Sequence, residues 1–235
     1  MARNTQLLSL IAQLRAETGR SQEVAVGIDE AENLKVVLQR VQEQLYDDYE
    51  WPHLRVQKTV SLAAGQRYYD LPSGLNFDRI EDIKLKYNGV YQDLERGIDF
   101  DDYTAYDSNA TTPERSNPMQ KWDIRETGSG EQIEAWPIPS DNTQTLYFFG
   151  TKTLGDLIQE ADTADLDDRL IVLFAASEIL LRQKSADAQI KLKLAQQRLL
   201  TLRKNSVSKR RTIQVGLGAF AKRNSHRGKN LIVVS

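Results

Sequence analysis

The chain has 235 residues, 40% of them hydrophobic and 27% charged, enough for the core of one large domain or two small ones and unlike a disordered or low-complexity sequence. It has no cysteine, which removes disulfides and Cys-ligated metals, and its two histidines, His53 and His226, lie too far apart in the sequence to suggest a zinc site or a histidine-based triad. The formal charge of −2 hides a division: the last 48 residues carry twelve Lys or Arg and no acid, so all 33 acids sit with 19 bases in the first 187 residues. An acidic body joined to a basic end implies an electrostatic partner for that end: nucleic acid, an anionic membrane, or the acidic surface of another protein or copy.

Leu7, Leu10, Ile11 and Leu14 recur at helical spacing, with Gly19 as a stop. A second helix is expected from Asp29 as N-cap, with Glu32 three residues on, and Leu34, Val37, Leu38, Val41 and Leu45 form its apolar stripe. It ends near Trp51-Pro52, because the residue before a proline is pushed out of helical geometry. Strand periods follow. Val56 to Ala63 alternates, Gly65-Gln66 turns the chain, and Arg67 to Pro72 is a short strand. Arg79 to Tyr87 reads as a strand, Asn88-Gly89 as a hairpin turn, and Val90-Tyr91 as the return. Ile98 to Pro118 reads as a long loop with one helical turn, and Met119–Glu126, Gln132–Trp136 and Thr143–Gly150 as three further strands.

Helix returns at Asp165 or Leu166. The run Leu170 to Leu181 is apolar at nearly every position yet interrupted by Ser177 and Glu178 and too short to span a bilayer, so it is expected to be a buried helix of a soluble protein. After a break at Lys184 to Asp187, Ala188 to Lys204 continues with Ile190, Leu194, Leu199 and Leu202. The fold class is therefore α+β: a helical body (1–52 and 160–204), an inserted antiparallel β-sandwich or barrel-like domain (53–159), and an extended basic C-terminal arm (205–235).

Gly216-Leu217-Gly218-Ala219-Phe220-Ala221 matches a dinucleotide fingerprint only as a string, because no acid follows it to hold a ribose. No cofactor, metal or catalytic residue is assigned. The Asp47-Asp48-Glu50 and Asp99-Asp101-Asp102 groups supply carboxylates, as any acidic surface does. The strand aromatics, such as Tyr68, Tyr91, Trp122 and Phe148, are expected in the sandwich core rather than stacked on bases, since basic residues are sparse among them. The arm combines positive charge at Lys209, Arg210 and Arg211 with apolar Ile213, Val215, Phe220 and a β-branched ending, Leu231, Ile232, Val233 and Val234. Charge suits capture of an acidic surface, and the apolar groups suit strand addition or a groove.

The order of Asp47-Asp48-Tyr49-Glu50-Trp51-Pro52-His53-Leu54 and Gly65-Gln66-Arg67-Tyr68-Tyr69-Asp70-Leu71-Pro72 resembles the head-to-tail adaptors (head completion, or tail tubular A-like, connectors) of tailed bacteriophages. The family motif falls on Trp51, Pro52, Leu54, Tyr69, Asp70, Leu71 and Pro72, all with structural roles. The resemblance implies a virion protein, assembled in the host cytoplasm as a homo-oligomeric ring of twelve copies. That ring would sit under the portal protein, clamp it with the C-terminal arm, offer a docking surface to the tail nozzle or tail tube, and let double-stranded DNA pass without sequence-specific binding. Some relatives also cleave peptidoglycan, but no residue pattern here carries that activity over. The alternative from the residues alone is a DNA-binding protein with a basic arm, separable by its steep salt dependence.

Overall fold

The two hydrophobic periods of the chain fold into two separate cores. The computed structural model describes residues 3–21, 28–105, 115–128 and 130–206. The arm residues Lys209 to Val234, the glycine string from Gly216 and His226 lie outside them. Helices α1 (Leu7–Glu17), α2 (Ile28–Asp47), α4 (Asp168–Arg182) and α5 (Asp187–Ser206) flank the strands, and a short α3 (Phe100–Ala105) lies between the fifth and sixth. The strands are β1 (Arg55–Ser61), β2 (Tyr68–Asp70), β3 (Leu75–Tyr87), β4 (Val90–Asp93), β5 (Glu95–Arg96), β6 (Lys121–Thr127), β7 (Gly130–Trp136) and β8 (Thr145–Lys152). They form two four-stranded sheets, ordered β1-β8-β3-β4 and β2-β7-β6-β5, antiparallel except for β5 beside β6. The α+β class holds, with the β unit inserted between helices.

The helical core joins Leu10 and Leu14 of α1, Leu38 and Leu45 of α2, and Leu170 and Ala175 of α4, with Trp51, Leu54, Leu157 and Leu202. Alternation along the strands turns Ile83, Leu85, Ile133, Leu146 and Phe148 into the second core, with Tyr69 and Trp122. Asn88 and Gly89 both have positive φ, as the two-residue turn between β3 and β4 requires. Gly150 is required for a different reason: a Cβ there would sit 2.7 Å from the Arg79 carbonyl, where β3 shifts register against β8.

Helix ends show how the parts are joined. Helix α1 has no side-chain N-cap. Its first N–H groups donate instead to the carbonyls of Asp162 (2.8 Å, from Leu7) and Glu160 (3.3 Å, from Leu8). Helix α2 has no basic residue in its last turn. Trp51 Nε1 donates to the Leu45 carbonyl at 2.8 Å, and Arg79 of β3 donates to those of Tyr46 and Asp47 at 2.7 and 3.2 Å. A cation from the sheet thus satisfies both the carbonyls and the dipole of a helix in the other core.

Three expectations change. Helix α2 begins at Ile28, so Asp29 lies in its first turn rather than at the N-cap. Helix α4 begins at Asp168, with Asp167 as N-cap accepting from the Leu170 amide at 3.0 Å. Helix α5 buries Ala188, Ala195 and Leu202, while Ile190 and Leu194, expected on its apolar stripe, are 58% and 41% exposed. Ion pairs set this roll: Lys191 turns in to Glu17, and Arg198 reaches Asp167 with two bonds of 3.1 and 2.6 Å.

Candidate functional site

The residues of the two family motifs fall in two places. Pro52–Leu54 form one 3₁₀ turn that carries the chain from α2 into β1. Trp51, 4% exposed, and Leu54 pack in the helical core, while Pro52 stays exposed. Tyr69, 3% exposed, lies in the sheet core, and its hydroxyl accepts from the Ala63 amide and faces the carbonyls of Ala63 and Gln66 at 3.1 and 3.0 Å. It thereby pins the turn before β2. Asp70 is exposed and accepts from Gln132, Leu71 packs at the margin of the core, and the Pro72 carbonyl accepts from Leu75 at 3.3 Å.

The turn at Trp51 also meets the end of α5. Trp51, Pro52 and His53 line a cavity of about 190 Å³ with Arg3, Leu202, Asn205 and Ser206. The Tyr49 and Ser206 hydroxyls are 2.6 Å apart, with Ser206 donating to the Arg203 carbonyl at 2.7 Å. The Arg203 guanidinium lies 4.9 Å from the centre of the Tyr49 ring, and the Tyr49 and Trp51 rings meet edge to face at 5.0 Å. Ser206, at the end of α5, is thus bonded both to Tyr49 and to its own helix. Tyr49 belongs to the acidic-aromatic stretch noticed in the sequence. Arg203 and Ser206 were not singled out, because one lies in an ordinary helical run and the other in a polar one.

His53 Nε2 donates to the Asp165 carbonyl at 3.2 Å, and burial holds its pKa below the usual histidine value. The imidazole here is a structural strut between the 3₁₀ turn and the segment that leads into α4. The other conspicuous polar cluster surrounds Glu134, a carboxylate with no exposure. Arg67 Nε (2.6 Å), Arg125 Nε (3.0 Å) and the Tyr103 hydroxyl (2.9 and 2.8 Å) all donate to it, and Arg67 lies 4.8 Å from the Tyr103 ring centre. Held by these donors, the carboxylate ties α3 to the second sheet. Of the acids noted as carboxylate groups, Asp47 pairs with Arg79, and Asp102 pairs with Lys121, whose bonds hold its pKa below the usual value. Among the described residues no cluster of three metal-ligating side chains occurs, and no helix is long and apolar enough to cross a membrane.

The aromatics divide between core and surface. Tyr69, Trp122, Trp136 and Phe148 are buried, but Tyr68, Tyr91 and Phe149 are exposed, so the expectation that Tyr68 and Tyr91 fill the core is corrected. Tyr68 stands on an outward position of β2, and Tyr91 lies beside exposed Val90 on the edge strand β4.

Residues 5–217 match the family model described as SU10 adaptor protein, and the chain belongs to that family, one of phage head–tail adaptors. Such membership makes it a structural component of a virion. No curated protein matches the chain.

Proposed function

We propose that this protein forms a ring, of twelve copies, that docks on the portal and joins it to the tail nozzle or tail tube around the channel through which DNA leaves. The C-terminal arm clamps the portal: Lys209, Arg210 and Arg211 steer it to an acidic surface, and Ile213, Val215, Phe220 and Leu231 to Val234 hold it by strand addition or in an apolar groove. Residues Tyr49 to Leu54 serve this function by anchoring the arm's root. The observation that carries the reading is that the motif-bearing turn packs against the last turn of α5 in a chain whose family is one of adaptors. An arm grafted onto a rigid base loses less entropy on docking than one that begins in mobile chain.

A chain ending at Ser206 tests the proposal and keeps the Tyr49 contact intact. It is expected to stay folded and soluble but to leave the portal much faster than the full chain. Reversing Lys209, Arg210 and Arg211 to Glu slows association, most at low salt. A truncated chain that holds the portal at full affinity refutes the arm's role.

A further inference from the structure

Two surfaces of the helical region remain without partners, and they are complementary to each other. The first is the outer face of α5. Ile190, Leu194 and Leu200 are exposed there by 58%, 41% and 65%, and Lys193 and Lys204 have no polar partner among the described residues. From Ala188 to Ser206 the helix has no acid. The three aliphatic side chains extend over ten residues, about 15 Å of helix.

The second surface is an open depression of about 430 Å³ between α2 and the segment that follows β8, lined by Glu32, Val36, Arg40, Glu43, Leu157 and Ile158. Val36 is 64% exposed and Ile158 66%. The segment from Thr153 to Asp168 contains six acids and no base. Asp156 and Glu160, two residues on either side of Ile158, are exposed with no polar side-chain partner among the described residues. The cations at the depression are already engaged within the chain, Lys35 with Glu32 and Arg40 with Glu178.

We propose that the outer face of α5 on one copy docks onto the Val36–Ile158 face of the next copy. The aliphatic side chains meet in the middle, and the unpaired lysines face the unpaired carboxylates at the rim. The proposal rests on the ring-forming reading above and identifies its subunit contact. Position on the fold supports it. Helix α2 turns Val41, Gln44 and Leu45 toward a groove shared with α5, and it presents Glu32, Val36 and Glu43 roughly half a turn away. The two faces thus look out from opposite flanks of the α2–α4–α5 layer. Pairing unlike patches on opposite flanks repeats from copy to copy and closes into a ring when the rotation allows. Duplex DNA is a poorer occupant of the α5 face, because phosphates have no use for three exposed aliphatic side chains.

The absence of cysteine in the chain makes the contact directly testable. A full-length chain carrying both Leu194→Cys and Ile158→Cys is treated with a short bifunctional maleimide, in concentrated solution and on portal particles. Both positions are exposed, so folding is little affected. Denaturing gels are expected to show a ladder of dimers, trimers and larger species, whereas either single variant stops at the dimer or below. Leu194→Asp in the Ile158→Cys background, mixed with the Leu194→Cys variant, restricts coupling to one productive orientation and removes the larger species. Self-association of Leu194→Asp alone weakens roughly tenfold or more. If the wild-type chain decorates portal as a ring but the double variant gives no ladder, the contact is wrong while the adaptor reading stands. If neither ring nor ladder forms, both are wrong. Protection of the thiol introduced by Leu194→Cys by duplex DNA, in place of self-coupling, also overturns the contact.

Discussion

Replacing Trp51 by alanine tests whether the motif turn is a structural keystone. Its side chain is 4% exposed, sits in the helical core, meets Tyr49 edge to face at 5.0 Å and donates to the Leu45 carbonyl at 2.8 Å. Burying about 200 Å² of aromatic surface at about 25 cal/mol per Å² corresponds to about 5 kcal/mol, an upper bound because the unfolded chain already hides part of that area. The orphaned carbonyl offsets some of that reduction, so Trp51→Ala is expected to cost about 4 kcal/mol, within the range for aromatic truncations in cores. Trp51→Phe keeps most of the apolar contact and loses the hydrogen bond, so about 1–2 kcal/mol is expected. Urea unfolding followed by far-UV circular dichroism reads the helices. In either variant, tryptophan fluorescence reads only Trp122 and Trp136, which pack in or beside the sheets, so a helical loss should precede the fluorescence change. A Trp51→Ala variant within about 1 kcal/mol of the wild type would refute the keystone role.

Arg79→Ala removes the sheet-borne cap of α2 and should cost roughly 2 kcal/mol, with hydrogen exchange rising first in the last turn of that helix; unchanged protection there contradicts the capping argument. Leu173→Asp puts a charge where exposure is 4% and should abolish soluble expression, whereas Arg182→Asp on the exposed side of α4 exchanges the Glu178 pair for a like-charge neighbour and should cost only about 1 kcal/mol; equal behaviour would deny α4 its place in the core. His53 has a folded-state pKa depressed by burial, so its contribution is full above the ordinary histidine value of about 6.5 and is lost as pH falls below it. His53→Gln should therefore flatten the stability profile just below that value, and an unaltered slope in a urea-midpoint series would show that His53 does not titrate on unfolding.

Local signals read well where local physics decides. The Asn88-Gly89 turn and the stop at Gly19 each depend on one or two residues and stand where those residues put them, whereas α2 ends at Asp47, four residues before Trp51. What escaped the sequence depends on distant partners. The roll of α5 follows from Lys191 meeting Glu17 and Arg198 meeting Asp167, and no spacing within α5 announces either pair. The cap of α2 comes from Arg79, more than thirty residues on. Glu134 looks like any acid in an acidic chain until Arg67, Arg125 and Tyr103 close around it. The two-residue strand β5 is too short for a pattern. At the site, the aromatic stretch from Tyr49 to Leu54 was visible as a motif, but its purpose as a mooring for the end of α5 needed the contact with Ser206.

Electron microscopy of the purified protein mixed with the portal protein of the same phage tests the adaptor reading most directly. A ring of density added to one end of the portal, with the DNA channel left open and each added subunit connected to the portal by an arm, is the predicted result. An undecorated portal, or a protein that instead coats duplex DNA with an affinity that collapses as salt rises, would contradict it.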